Sequence, residues 1–318
     1  MINAIESQMA KLCAFVRAYH VRCDADLIYD DRLAGDLLGE DDYEEMQELI
    51  TERAFTTHIV EGTDPEQSAS WKDPARPVIC EYFLPILLPR IAFTETALQE
   101  FREGHESAQF IDLGAGLDTY AFRNTDPGLT TYELDHPATQ RYKRRRIKRL
   151  GWEVPEELRF VPIDFSRDIM FQKLVDAGYD PNRPTFVALM GVTYYLRPEV
   201  LQSTFAQIAE MVPPGSRLAQ DFGDETSFRA SSGTRMTKLA EITEDFGEPM
   251  MPGLSVDTLL QMLEDVGFTV RTHLTPDDIQ TSYFSARDCE IRAFENIHFL
   301  TVERVPKWST SKPQPSTD

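Results

Sequence analysis

The chain has 318 residues, of which 53 are acidic and 32 basic, so its formal net charge is −21. Nonspecific nucleic-acid binding and adsorption to an anionic membrane both require basic surface, and this balance argues against both partners. Hydrophobic residues make up 42% of the chain and charged residues 27%, which is typical of a folded globular protein of one large domain or two small ones.

The first 105 residues are predicted to be mostly helical. Apolar residues recur at near-helical spacing from Met9 to Val16, and a second helical pattern covers Tyr43 to Ile50. Pro65, Pro74 and Pro77 indicate a loop. Another apolar helix is expected to begin near Val78.

Seven short apolar runs follow and are predicted to be strands. They are residues 109–113, 130–134, 158–163, 185–190, 217–222, 268–274 and 296–303. Helical stretches separate them, notably Pro137 to Leu150 and Pro198 to Met211. Alternating strands and helices predict an α/β core over residues 106–305 with a mostly parallel sheet. Residues 306–318 are polar, contain proline and are predicted to form a disordered tail.

No membrane span, leader or metal site is predicted. The most apolar stretch, Phe83 to Phe93, is interrupted by Pro85, Pro89 and Arg90, well short of the roughly 20 residues that a bilayer requires. The N-terminus lacks a basic region followed by an apolar run. The cysteines are scattered at Cys13, Cys23, Cys80 and Cys289. Because they include no C-x-x-C pair, we expect reduced thiols in a cytoplasmic protein. A zinc site is not expected, because no two cysteines or histidines have the spacing of zinc ligands.

A glycine turn between a strand and a helix is the strongest chemical signal. It reads Asp112-Leu-Gly114-Ala-Gly116-Leu-Asp118-Thr119. Glycine lets a ligand lie against the backbone because no Cβ intervenes. A dinucleotide site would have a third glycine near Thr119, and a P-loop would need G-K-[ST], which is absent. The loop therefore favours a nucleoside without a pyrophosphate, and S-adenosylmethionine is the leading candidate.

Carboxylates follow the next two strands. Asp135 ends the second strand about 20 residues beyond the loop, where a carboxylate can accept hydrogen bonds from both ribose hydroxyls. Asp164 ends the third strand and Phe165 follows it, a pair suited to the adenine amino group and ring. A carboxylate after a strand is also a common helix N-cap, so each position alone admits a structural interpretation. The glycine loop, Asp135 and Asp164 follow three successive strands, and together they favour a ligand site.

The sequence resembles the leucine carboxyl methyltransferase superfamily, especially its bacterial branch that includes polyketide-synthesis O-methyltransferases. The resemblance extends from about Lys11 to about Glu303. It is carried by residues 15–20, 28–34, 90–95, 113–123, 133–137, 160–165 and 191–199. The string Leu-Gly-Ala-Gly-Leu-Asp-Thr at 113–119 is its most diagnostic part.

This resemblance implies a class I methyltransferase fold, which is Rossmann-like, with a mostly parallel seven-stranded sheet and helices on both faces. It implies S-adenosylmethionine as donor, an N-terminal helical cap (residues 1–105) and a lid insertion at about 224–253. Arg90 would grip the donor's carboxylate, Gly114 would line its methionine portion, Asp135 its ribose, and Asp164 with Phe165 its adenine. The other predicted donor-binding residues are Asp112, Gly116, Asp118, Thr119, Met190 and Gly191.

Met190 departs from the family pattern, which commonly has a glutamate there, close to the donor's amino group or sulfonium. Methionine cannot accept a strong hydrogen bond. Either donor affinity is weaker, or another acid such as Asp112 or Asp221 compensates.

Two residues are candidates for catalysis, His20 and Tyr195. A carboxylate acceptor needs no base, whereas a phenol or alcohol benefits from one. His20 belongs to the segment that caps the site in the family, although a lone histidine on an amphipathic helix is more often structural. Tyr195 and its neighbour Tyr194 are also suited to shaping the pocket.

Two further segments have a predicted role. The segment 224–253 covers the acceptor pocket in the family, so it and residues 1–105 are expected to select the acceptor. The basic run from Arg141 to Arg149 admits an RNA-binding or nuclear-targeting interpretation, but a solvated helix face is favoured because the rest of the chain is acidic.

The leading hypothesis is an S-adenosylmethionine-dependent O-methyltransferase that acts on a small-molecule carboxylate or hydroxyl. A protein C-terminal carboxyl methyltransferase is the nearest alternative. Met190 leaves open a donor-binding protein without activity. A nicotinamide-dependent oxidoreductase is a weaker rival, opposed by Thr119. The sequence identifies neither the acceptor nor the oligomeric state.

Overall fold

The computed structural model describes residues 6–56, 73–165, 167–227, 233–287 and 291–306. Pro65, Cys289 and the predicted tail beyond residue 306 lie outside these ranges. The helices are α1 (Gln8–Cys23), α2 (Leu33–Leu38), α3 (Glu40–Thr56), α4 (Ala75–Val78), α5 (Leu84–Glu103), α6 (Tyr120–Arg123), α7 (Pro137–Leu150), α8 (Met170–Asp176), α9 (Pro198–Met211), α10 (Gly233–Asp245), α11 (Val256–Asp265) and α12 (Pro276–Ile279). The strands are β1 (Ala108–Leu113), β2 (Leu129–Asp135), β3 (Leu158–Pro162), β4 (Thr185–Leu189), β5 (Arg217–Gly223), β6 (Phe268–Leu274) and β7 (Ile297–Arg304).

The seven strands form one sheet in the order β3-β2-β1-β4-β5-β7-β6. The first five strands pair in parallel, and β7 lies antiparallel between β5 and β6. This confirms the predicted mostly parallel α/β fold, and every predicted strand boundary is within one residue of the observed one. The chain changes direction of winding between β1 and β4, so the carboxyl ends of these strands border a crevice suited to a ligand.

Local signals explain why the predicted helices α7 and α9 have the expected bounds. Each begins with proline at its first position, where a missing N–H costs nothing. His136 Nδ1 accepts from the Ala138 N–H and caps α7. Gly151 ends that helix in the left-handed conformation, at φ 68°.

Helices cover both faces of the sheet, as predicted, because alternate strand residues point to opposite sides. On one face, Phe110 of β1 and Phe186 of β4 pack against Leu98 and Phe101 of α5. On the other, Ile111 and Val187 pack against helix α9.

The apolar helix expected to begin near Val78 is present, and the prolines that interrupt the apolar stretch Phe83–Phe93 do not interrupt the helix. Helix α4, a π-helical turn (Ile79–Phe83) and α5 follow one another without a break. Pro85 occupies the first turn of α5, and Pro89 is tolerated inside it. By length and composition alone, Ala75–Glu103 could cross a membrane, but 67% of its most apolar window is buried within the protein. That burial is typical of a core helix.

The helices that precede the sheet share one apolar cluster with the segment predicted to form a lid. Phe15 of α1 and Leu84 of α5 belong to this cluster, together with Leu239 of α10 and Phe299 of β7. Residues 228–232 of the predicted lid lie outside the described ranges.

Candidate functional site

A cavity of about 310 Å³ lies at the carboxyl ends of the parallel strands. Its floor is the glycine loop after β1 together with the ends of β2 and β4. Helices α1 and α5, the π-helical turn before α5 and the segment around α10 supply its other walls. Of the residues predicted from sequence, those that line it are Arg90, Asp112, Gly114, Gly116, Asp118, Asp135, Met190, Gly191 and Tyr195.

Two glycines shape the floor of the cavity. Gly114 has φ 84°, and a Cβ there would lie 3.1 Å from Val192 Cγ2. Gly116 has φ 51°, and a Cβ would lie 3.2 Å from the Cβ of Ala10 on α1. Both positions combine a left-handed backbone with a crowded approach, so larger residues would be strained and would displace the neighbouring wall.

Asp135 lies at the end of β2, directly across from the loop. Its Oδ2 accepts from the Gly116 N–H at 2.5 Å and its Oδ1 from the His136 N–H at 2.6 Å. Burial raises the pKa of this carboxyl, although the two N–H groups counteract the shift. Each carboxylate oxygen can accept a second hydrogen bond, so this fixed acid remains able to bind a diol.

Arg90 projects from α5 to the same crevice and is held by Asp221 of β5. The Arg90 Nε and Asp221 Oδ2 atoms are 2.7 Å apart. Burial opposes the charge of Arg90, but the Asp221 carboxylate and further neighbouring groups together outweigh burial and raise the pKa of the guanidinium. Asp221 also accepts from the Gly191 N–H at 2.6 Å and the Tyr194 hydroxyl at 2.9 Å. Asp221 itself is fully buried and therefore positions Arg90 instead of facing the cavity.

Several acidic side chains near the floor of the cavity lie close to one another and to the buried cation Lys143. Lys143 Nζ is 2.5 Å from Glu133 Oε2, and both side chains are almost fully buried. Burial raises the pKa of Glu133 to about 7, although Lys143 counteracts the shift. Burial and the neighbouring Asp118 raise the pKa of Asp112 well above its ordinary value. A cationic ligand would relieve this crowding.

Two predicted site residues face elsewhere. The buried Thr119 hydroxyl donates to Asp31 Oδ2 at 2.7 Å, and Thr119 is not a lining residue. His20 Nδ1 is 2.6 Å from Asp24 Oδ2, and its Nε2 accepts from the Ile28 N–H at 2.8 Å. Both ring nitrogens are therefore occupied, which argues against His20 as a catalytic base.

Asp164 and Phe165 follow β3 at the edge of the sheet, outside the lining of the cavity. The Asp164 N–H donates to Asp168 Oδ2 at 2.9 Å, and Arg167 Nε lies 3.4 Å from Asp164 Oδ2. The Phe165 side chain is 53% exposed. Their predicted contact with the adenine stays a prediction.

Met190 directly follows β4, Tyr195 lies in the turn Thr193–Tyr195, and both line the cavity. Burial raises the pKa of Tyr195, so its hydroxyl is neutral and suits a hydrogen-bond donor better than a base.

Sequence reasoning missed Arg17 and Glu248, which also line the cavity. Arg17 pairs with Asp31 at 2.6 Å. Glu248 Oε1 accepts from the Ser7 hydroxyl at 2.8 Å, and burial raises its pKa. Ser7 caps α1, and a serine just before an apolar helical pattern is a recognisable N-cap signal. No local pattern marks the position of Glu248.

The cavity fits a nucleoside that carries a charged amino-acid tail. Three tight backbone positions form a cradle that a Cβ would fill, at Gly114, Gly116 and Gly191. Asp135 provides a fixed acid for the ribose, and Arg90 a guanidinium for a carboxylate. Within the described residues, no group of three or more His, Cys, Asp or Glu side chains is arranged to hold a metal ion.

Comparison with known proteins agrees with this chemistry. The sequence profile of the leucine carboxyl methyltransferase family matches residues 10–209. A protein of Bacillus subtilis strain 168, provisionally named S-adenosyl-L-methionine-dependent methyltransferase YktD, is 35% identical over 304 residues, which is 93% of this chain and 97% of that protein. A protein of Mycobacterium marinum with the same provisional activity is 31% identical over 202 residues, which is 61% of this chain and 66% of its own.

The fold also agrees with solved structures. The crystal structure of a DUF574 family protein from Streptomyces avermitilis has a TM-score of 0.54 at 15% identity and covers 95% of this chain and 98% of its own. The family match and the Bacillus subtilis relative confirm the predicted donor and reaction class and remove the nicotinamide interpretation. The chain belongs to the leucine carboxyl methyltransferase family and is an S-adenosylmethionine-dependent methyltransferase.

Proposed function

We propose that this enzyme methylates an oxygen atom, a carboxylate or a hydroxyl, of a small and largely apolar molecule. The observation that carries the proposal is the character of the cavity away from the glycine loop. Its walls there are Tyr82, Phe83, Leu87, Leu239 and Met250. Such walls favour an apolar ring or chain, because binding then removes apolar surface from water.

The polar groups of this part are few. Tyr195, Thr243 and Glu248 line the cavity, and the cations Arg90 and Arg17, which also border it, are held by buried carboxylates. A neutral Tyr195 hydroxyl can donate to an acceptor oxygen. Polar groups at one end of an apolar pocket would orient the reacting oxygen.

The bound donor supplies a methyl group on a positively charged sulfur, which is already reactive. The protein's own contribution is therefore alignment and the exclusion of water. Arg90 would fix the amino-acid end of the donor and Asp135 its ribose, while Tyr82, Phe83 and Met250 would shield the reacting region from water. No general base is required when the acceptor is an ionised carboxylate.

The test is a methyl-transfer assay with labelled S-adenosylmethionine and a panel of aromatic acids, fatty acids, phenols and amines. Mild alkali separates the products, because methyl esters hydrolyse and aryl ethers do not. Transfer to oxygen supports the proposal, and transfer only to nitrogen or sulfur contradicts it. Met250→Arg should raise the acceptor KM at least tenfold because it places a charge in the apolar wall of the cavity, whereas the exposed control Val270→Arg should not.

A second acceptor follows from the family description, which refers to a leucine carboxyl group. Peptides that end in leucine belong in the same panel. Turnover of such a peptide without turnover of any small molecule would favour the protein C-terminal carboxyl as acceptor and overturn the small-molecule proposal.

A cytoplasmic location is part of the same proposal. No disulfide joins Cys13, Cys23 and Cys80, which suits a reducing compartment, where disulfides are rare.

A further inference from the structure

We propose that a basic face of α7 binds an acidic face of α3 in a second copy of this chain. Four exposed side chains define each face. The basic face consists of Arg141, Arg144, Arg145 and Lys148. The acidic face consists of Asp41, Glu44, Glu45 and Glu48. The proposal concerns assembly and is independent of the acceptor.

The two faces have the same spacing and opposite charge. In each helix the four residues occupy positions i, i+3, i+4 and i+7, so they lie together on one side of the helix. Each face is about two turns, or about 10 Å, long. Two helices that carry such faces can therefore place opposite charges next to each other along their whole contact.

Neither face is neutralised within its own chain. Among the residues that the structure describes, none of these eight side chains forms an ion pair, whereas Lys143 and Asp42 of the same two helices do. Arg144 and Arg145 each lie over an aromatic ring, at 5.4 and 6.0 Å, which leaves their charge unbalanced. Like charges three or four residues apart repel each other and destabilise a helix. A partner of opposite charge would remove this repulsion from both helices.

The helix dipole accounts only for the ends of the two faces. It favours acids in the first turn and bases in the last turn of a helix, and its effect is small beyond them. Asp41 lies in the first turn of α3 and Lys148 in the last turn of α7. The other six side chains lie outside those turns, so their arrangement requires another explanation.

A second copy of the chain fits both faces at once. Helix α3 begins beside α7, because the Tyr142 hydroxyl donates to Asp42 and to the Leu38 carbonyl. The two faces are therefore neighbours in one chain, and a twofold axis would bring each against its opposite in the other copy. Nucleic acid would fit the basic face alone, and the net charge of −21 opposes it.

Sedimentation of the wild-type protein in the analytical ultracentrifuge is the first test. The protein should be a dimer at about 50 mM salt. At about 1 M salt, which screens exposed charges, the dimer should be at least tenfold weaker. A monomer at every salt and protein concentration would overturn the proposal, and so would a dimer that is insensitive to salt.

Charge reversal then tests which faces meet. Arg141→Glu/Arg145→Glu and Glu44→Arg/Glu48→Arg should each be monomeric alone, because each contact then joins like charges. An equal mixture of the two variants should form a dimer, because both contacts again pair opposite charges. If folded variants stay monomeric when mixed, or if either variant alone dimerises as wild type does, the two faces do not meet.

A matched control separates this contact from the effect of net charge. Arg197→Glu/Arg271→Glu makes the same change in charge at exposed positions outside both faces, and it should leave the dimer intact. Dissociation of this control would overturn the proposal. A wild-type monomer that binds labelled RNA through Arg141 and Arg145 would also overturn it and would assign the basic face to a nucleic acid. No methyl transfer is measured, so these results are separate from the acceptor proposal.

Discussion

Asp221 on β5 fixes the guanidinium of Arg90 on α5, with 2.7 Å between Asp221 Oδ2 and Arg90 Nε. The same carboxylate accepts the N–H of Gly191 and the hydroxyl of Tyr194. One buried acid thereby connects α5, the loop after β4 and the turn Thr193–Tyr195. Arg90 is consequently preorganised to grip a carboxylate, because its rotamer is fixed before the ligand arrives.

Arg90→Ala should weaken binding of S-adenosylhomocysteine strongly, by about 2 kcal/mol or more, because a buried partner of the ligand's carboxylate is removed. Stability should also fall, since the buried Asp221 carboxylate loses the cation that balances its charge. Calorimetry and urea denaturation measure the two effects. Arg32→Ala is the control, because the Arg32 side chain is 77% exposed and far less constrained. Unchanged affinity in Arg90→Ala would remove Arg90 from the site.

Gly191→Ala should impair donor binding through Arg90 itself. Gly191 has φ 72°, and an added Cβ would lie 2.5 Å from Arg90 Nη1. Gly151→Ala is a matched control, because Gly151 has φ 68° with no atom within 4 Å of an added Cβ. Both variants should lose about 1 kcal/mol of stability from backbone strain. Only Gly191→Ala should also lose affinity for S-adenosylhomocysteine, and equal affinities in the two variants would contradict the steric argument.

The sheet could be predicted from sequence because its signals are local. Each strand is a short apolar run bounded by turn residues, and α7 and α9 each begin with a proline at the first helical position. The glycine loop and Asp135 could also be predicted from sequence, since both belong to one continuous strand-loop-helix-strand unit. The continuity of α5 through Pro89 was not accessible, because tertiary burial outweighs a locally unfavourable residue.

Other features of the site depend on contacts between distant segments. Asp31 accepts from Thr119, which is 88 residues away, and Glu248 meets Ser7 across 241 residues. A sequence pattern shows which polar side chains are present, but not which hydrogen-bond partners they have in the folded protein. For that reason His20 was a plausible base in the sequence, although its two nitrogens are both satisfied in the fold.

Thr119→Val should affect stability more than donor binding. The variant keeps the side-chain shape but removes the hydroxyl that donates to the buried Asp31. We expect a loss of about 1.5–3 kcal/mol in the free energy of unfolding, as for a hydrogen bond to a charged group. Affinity for S-adenosylhomocysteine should change little, because Thr119 does not line the cavity. A large loss of affinity at unchanged stability would return Thr119 to the donor site.

His20→Ala should leave the chemical step intact. The Nε2 atom accepts from the Ile28 N–H, so the proton resides on Nδ1 and points to Asp24. Removing the ring should cost about 1–3 kcal/mol of stability because the Ile28 N–H loses its partner. The value of kcat, measured at a temperature where the variant is folded, should remain within about twofold of wild type, well short of the loss expected for a general base. A hundredfold decrease in kcat would restore His20 as a catalytic residue.

Glu133 should make stability depend on pH in the direction opposite to that of most carboxylates. Burial raises its pKa from 4.5 to about 7 in the folded protein, so between these values the folded state holds a proton that the unfolded state has released. The stabilisation from this group is fully present below pH 4.5 and is lost as the pH rises through about 7. The variant Glu133→Gln has no titrating group at this position. Relative to this variant, the wild-type protein should therefore lose up to about 3 kcal/mol of unfolding free energy between pH 5 and pH 8. Urea denaturation at a series of pH values measures this difference. A difference that is constant with pH, or that shifts in favour of wild type, would show that Lys143 keeps Glu133 ionised throughout.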